Sequence, residues 1–137
     1  EAFTRNSKPL DFQKQLNDLA DFWRDICQIS WSVDLEAISL INGDEVGKST
    51  LLDIISESCG NAIRHGQAKR ISITVVISES EVISLTVRND GISPTNSEKV
   101  GLGTEILNAC TLEWSLTSED QVVLEAKVPV KKLSPSL

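Results

Sequence analysis

The chain has 137 residues, 13 basic and 20 acidic side chains, a net charge of −7 and 40% hydrophobic residues. This length suits one domain with one core, and the acidic balance opposes nucleic-acid binding, which needs a basic surface. No apolar run reaches the ~20 residues that cross a bilayer, and Cys27, Cys59 and Cys110 with the single His65 support neither a disulfide framework nor a zinc site.

Residues 1–9 read as a linker or cloning remnant, 10–131 as the domain and 132–137 as a C-terminal tail. The absence of methionine reads as a piece of something longer, and the thiols suit a reducing cytosol. Phe12, Leu16, Leu19 and Trp23 recur at helical spacing and predict an amphipathic helix of about four turns. Cys27, Ile29, Trp31 and Val33 then alternate with period two, as in a half-buried strand, and a short segment through Leu40 and Asn42-Gly43 follows. From Asp44 to about Gly66 runs the strongest helix: Asp44 can cap it, Leu52, Ile55, Cys59, Ala62 and Ile63 form its apolar stripe, and Gly66 can end it. Ile71/Ile73/Val75/Ile77 and Ile83/Leu85/Val87 predict a hairpin joined through Glu79-Ser80. A polar stretch from Asp90 to Lys99 leads to a helix through Ile106, Leu107 and Cys110, then to strands over 112–117 and 121–130. The order predicts a two-layer α/β (α+β) sandwich, with helices on one face of a mixed, mainly antiparallel sheet.

The segment Gly43 to Ser49, GDEVGKS, imitates a phosphate-binding P-loop but has three residues between its glycines where the cradle needs four. Asp44 and Glu45 would also put two carboxylates where phosphate should sit. It reads instead as a capped helix start with a solvated Lys48.

Three pieces carry chemistry. On the long helix Glu57 and Asn61 stand at i, i+4, and at about 100° per residue they share a ~60° arc with Arg64, opposite the apolar stripe. A carboxylate, an amide oxygen and a guanidinium can hold hydrated Mg²⁺ and phosphate, although by spacing alone a solvated face is the plainer reading. At the end of the second hairpin strand, period two aims Asn89 inward with Val87, where a buried amide needs a partner such as a purine edge. Val100-Gly101-Leu102-Gly103-Thr104 opens a helix whose glycines let backbone approach an anion, though a turn explains a lone GxG equally well.

Together, SESCGNAIRHG, VRNDGIS and VGLGTEIL resemble the N box and the two glycine boxes of the GHKL superfamily, most closely sensor histidine kinases of the NarL-like type. The resemblance covers roughly residues 10 to 130 and implies the Bergerat ATP-binding fold, with ATP and Mg²⁺ as cofactors. It implies that Asn61 coordinates Mg²⁺, that Glu57 supports the metal and its waters or acts as a base, and that Arg64 and His65 lie beside the phosphates. Gly91, Gly101 and Gly103 would shape a short lid, with Leu102 and Thr104 completing the nucleotide site. Asn89 stands where the family's adenine-reading aspartate belongs, and the second box lacks a third glycine, having Thr104-Glu105.

The function implied is protein histidine kinase activity, with the γ-phosphoryl passing to a histidine on a dimerisation domain absent from this chain. A response-regulator receiver domain would take it onward. His65 belongs to the nucleotide helix and is not the expected acceptor, so the chain alone should not phosphorylate itself. A homodimeric, cytoplasmic full-length protein is implied, or the cytoplasmic portion of a membrane-bound sensor. An anti-sigma-factor serine kinase, whose N box is also similar, is the alternative. A nucleotide-free interaction module is a third reading.

Overall fold

The structure is a computed structural model that describes residues 11–92 and 104–131. The expected linker and tail lie outside the described residues. Along the chain run α1 (Phe12–Trp23), β1 (Gln28–Val33), α2 (Leu35–Asn42), α3 (Glu45–Arg64), β2 (Arg70–Glu79), β3 (Val82–Asn89), α4 (Thr104–Cys110), β4 (Glu113–Ser118) and β5 (Val122–Pro129). The strands form one sheet in the order β1-β2-β3-β5-β4, parallel between β1 and β2 and antiparallel elsewhere. This is the expected mixed, two-layer α/β sandwich. Among the described residues no helix is long and apolar enough to cross a membrane.

Cross-strand register explains the layering. One row across the sheet reads Trp31, Ile73, Val87, Leu124 and Leu116, and the next reads Val33, Val75, Leu85, Ala126 and Trp114. These residues share one face, where the helices pack, while Ser30, Ser72, Arg88, Glu125 and Ser115 on the other face are exposed. A third inner row reads Ile29, Ile71, Asn89 and Val122. Asn89 thus places an amide in an otherwise apolar row.

Helix α3 carries Gly47 and Gly60, each costing about 1 kcal/mol of helix propensity relative to alanine. Burying Leu51, Ile54 and Ile55, at roughly 2 kcal/mol each, outweighs that cost, so packing rather than propensity holds the helix. Asp44 caps it as expected, Oδ1 accepting from Val46 N at 3.1 Å, and its Oδ2 accepts from Lys131 N at 2.7 Å, fastening the chain after β5. Partial burial works to raise the Asp44 pKa, but N–H donors from Lys131, Gly47 and Val46 outweigh it and hold the carboxyl below its usual range. A Cβ on Gly47 would collide with Val130 Cγ1, so the glycine lets the chain just after β5 pass close.

Three expectations need correction here. Lys48 is buried, at 4% exposure, and its Nζ donates to Glu45 Oε2 at 3.0 Å. It stands two turns before Ile55, inside the stripe, which defeats solvation. The segment through Leu40 and Asn42 is a helix, α2, with Ala37 and Ile41 buried one turn apart. Eight residues give too little periodicity to read, and contacts with α3 and β2 decide the matter. Asn42 then serves α1: its Oδ1 accepts from Phe12 N at 2.9 Å, where Asp11 makes no side-chain cap. The hairpin loop falls at Ser80-Glu81, one residue later than expected, with Glu81 at φ 61.

Candidate functional site

The last two turns of α3, the end of β3, helix α4 and the inner faces of β4 and β5 surround a cavity of about 70 Å³, several times the space one water needs. Val87, Leu107, Trp114, Leu116, Val122 and Leu124 make apolar walls, and Ser58, Asn61, His65, Asn89 and Thr104 supply polar groups. An apolar hollow with a few convergent polar side chains has the composition of a small-molecule site.

Asn61 enters from α3. Its Nδ2 donates to Glu57 Oε2 at 3.0 Å, one turn back, so its Oδ1 is the atom left toward the cavity. Asn61 is 8% exposed, which corrects the expected placement opposite the apolar stripe. Leu51 and Ile54 widen that stripe, and Asn61, two turns after Ile54, falls at its border. Glu57 is half-buried and orients Asn61 without lining the cavity.

Arg64 departs from the expected cluster. It is exposed and outside the cavity lining, and a Cβ on Gly60 would meet both its terminal nitrogens at 2.9 Å, so the guanidinium folds back over that glycine. His65, also exposed, does line the cavity. The structure therefore brings Asn61 and His65 to the hollow directly, Glu57 through Asn61, and Arg64 only to its outskirts.

Asn89 enters from β3 and is 8% exposed. Its Oδ1 accepts from Gly91 N at 2.8 Å, closing a turn that starts the segment beyond the strand. Asp90 faces the other way: its Oδ1 accepts from Lys69 N at 2.8 Å and Arg70 N at 3.0 Å. Those N–H groups, from Arg70 and then Lys69, hold its carboxyl below the usual range. Asn89, and not its acidic neighbour, is the residue offered to the cavity.

Gly91 has a role that its motif did not specify. A Cβ there would lie 2.7 Å from Gly66 O, and one on Gly66 would lie 2.8 Å from Ala62 O. Ile92 N donates to Gly66 O at 2.8 Å across this crossing, which ties the end of α3 to the strand bearing Asn89. Gly66, read from sequence as a helix terminator, is thus also a close-approach residue. Thr104 opens α4 and lines the cavity. Gly101, Leu102 and Gly103 lie outside the described residues.

Sequence reasoning missed Ser58 and the wall residues, Trp114 above all, whose Nε1 donates to Asn108 Oδ1 at 2.8 Å. Alternation in 112–117 marks Trp114 as inward but says nothing of a cavity. Burial pushes the Cys59 thiol up to about 12, with a smaller push from Cys27, so this neighbour of Asn61 is no nucleophile at neutral pH.

A divalent cation suits the donor set. Asn61 Oδ1 has no protein partner among the described residues, and a hard oxygen beside the Glu57 carboxylate is what Mg²⁺ takes. No group of three or more His, Cys, Asp or Glu forms a metal cluster among the described residues, so such an ion would complete its shell with water and phosphate.

No protein-family model matches the chain, and no curated protein matches it by sequence. Solved structures do match in fold. The blue-light activated histidine kinase of Erythrobacter litoralis EL346 is 11% identical at a TM-score of 0.68, over 88% of this chain and 42% of that one. Full-length ShkA in complex with AMPPNP is 12% identical at a TM-score of 0.63, over 93% of this chain and 32% of that one. The ATP binding domain of PrrB from Mycobacterium tuberculosis is 16% identical at a TM-score of 0.58, over 91% and 98% of the two chains. The chain thus has the fold of histidine-kinase ATP-binding domains and spans less than half of the first two proteins.

Proposed function

We propose that this chain is the GHKL-type catalytic domain of a two-component sensor histidine kinase, binding Mg-ATP and donating its γ-phosphoryl to a histidine on its own dimerisation domain. The observation that carries this reading is the convergence of two buried amides, Asn61 from α3 and Asn89 from β3, on one apolar cavity. The similar fold of ShkA, solved in complex with AMPPNP, supports it.

In this reading the base lies among Val87, Leu116, Val122 and Leu124 with Asn89 at its edge, and Asn61 Oδ1 holds the metal with Glu57 keeping it oriented. Bound Mg²⁺ supplies charge neutralisation at the transferring phosphoryl group. His65 serves the phosphates directly and Arg64 from the outskirts of the cavity, while Gly91 and Thr104 stand beside the lid that the resemblance assigns to Gly101, Leu102 and Gly103. In the same proposal Glu57 supports the metal's waters or serves as the base. His65 shares the helix that grips the phosphates, so the nucleophile must arrive in line from another segment. NarL-like subtype, relay to a response-regulator receiver domain, a homodimeric full-length protein and a cytoplasmic setting belong to the same proposal.

Thermal unfolding with and without Mg-ATP tests it. A nucleotide at a hundred times its Kd stabilises the fold by about 2.7 kcal/mol, several degrees for this size. With labelled Mg-ATP the chain alone stays unlabelled, and a separately supplied dimerisation domain gains acid-labile label. An unchanged melting temperature at millimolar Mg-ATP, with silent calorimetry, overturns the reading. Acid-stable label on a partner's serine would instead favour the anti-sigma kinase alternative.

A further inference from the structure

Asn89 carries a donor where a carboxylate would present only acceptors. Gly91 N–H donates to Asn89 at 2.8 Å, and because an NH₂ group cannot accept, this donor settles which end of the amide is oxygen. The other end, Nδ2, carries two N–H groups on a residue 8% exposed that lines the cavity. No described residue accepts from it. Turning the amide over would set Nδ2 against the Gly91 N–H, donor against donor, so this hydrogen bond holds the orientation.

We infer that Asn89 makes the pocket prefer a 6-oxopurine nucleotide, of the inosine and guanosine class, over ATP. The inference rests on the nucleotide reading above, with Asn89 at the base's edge, and takes that edge to be the one that carries the purine 6-substituent. Adenine offers an amine there, donor against the Nδ2 donor, and the only acceptor Asn89 has left is the second lone pair of an oxygen already held by Gly91. A 6-oxopurine offers a carbonyl, which accepts from Nδ2 while Oδ1 keeps its bond to Gly91. Asn89's strand neighbours Val87 and Val122 and the nearby Leu124 are apolar, so a mismatched donor finds no substitute partner among these three. An aspartate at the same position would keep one oxygen on Gly91 N–H and turn the other to the adenine amine, reversing the preference.

Calorimetric titration of the chain with Mg-ATP and Mg-ITP, which differ at this edge and lack the guanine 2-amine, reads the inference directly. ITP is expected to bind about tenfold tighter than ATP to the chain, and Asn89→Asp to invert the order. The ratio in the unaltered chain needs no variant, so poor folding of Asn89→Asp does not spoil the test. Binding of ATP as tight as or tighter than ITP overturns the inference and leaves the nucleotide reading standing. Binding of neither overturns both.

Discussion

The two ends of α3 are assembled from the same parts. At its start, Gly47 lets Val130, just after β5, pass and Asp44 takes the backbone N–H of Lys131 at 2.7 Å. At its end, Gly66 meets Gly91, and Asp90 takes the N–H groups of Lys69 and Arg70 at 2.8 and 3.0 Å. In each case a glycine permits a close crossing and a carboxylate stitches strand backbone to it. They differ in what is left over. At the start, even the buried ammonium of Lys48 has a carboxylate, whereas at the end Asn61 and Asn89 line a cavity with Oδ1 and Nδ2 without a partner among the described residues. Buried polar groups are normally paired, so the end that tolerates unpaired ones is where a ligand belongs, and the motif-like GDEVGKS at the other end is structural.

Asn61→Ala gives the largest expected effect. It should weaken Mg-dependent nucleotide binding about 100-fold, some 2.7 kcal/mol, in titration calorimetry. Its melting temperature should move by only a few degrees, since removing an incompletely paired buried amide costs little. Equal Mg-nucleotide affinity in the variant would make this end of the helix as structural as the other.

The glycine crossings separate stability from function. Gly47→Ala and Gly91→Ala should each cost about 2 kcal/mol in denaturant unfolding, because the new Cβ meets Val130 in one case and Gly66 backbone in the other. Only Gly91→Ala should also lower nucleotide affinity in proportion, since it displaces Asn89 Oδ1. A parallel loss of binding in Gly47→Ala would erase the distinction between the ends.

The smallest effect is in acid. Asp44 and Asp90 both have folded pKa values below their ordinary 3.8, so each adds stability that is fully present above that value and lost as pH falls through the lowered one. Asp44→Asn and Asp90→Asn should each flatten the fall in melting temperature below about pH 4, and the two should add because they act at opposite ends of the helix. An unchanged acid limb in both variants would show that neither carboxylate stitches the fold.

Much of this molecule is legible from residue order. Period two in 71–77, 83–87 and 121–130 and period near 3.6 in α1 and α3 identify the two layers, because one-sided burial imposes those repeats on any chain. The same alternation sends Asn89 inward, and the Glu57/Asn61 spacing makes their bond geometrically available. Other outcomes depended on neighbours distant in sequence. Helix α2 forms against α3 and β2, Lys48 is buried because the stripe runs through it, and Arg64 folds away over Gly60. Trp114 becomes a wall only when β4 joins the edge beyond β5. The direction of the Asn89 amide is of the same kind. A one-letter Asn is both donor and acceptor, and only the Gly91 N–H, held in place by the crossing at Gly66, leaves the donor for the cavity.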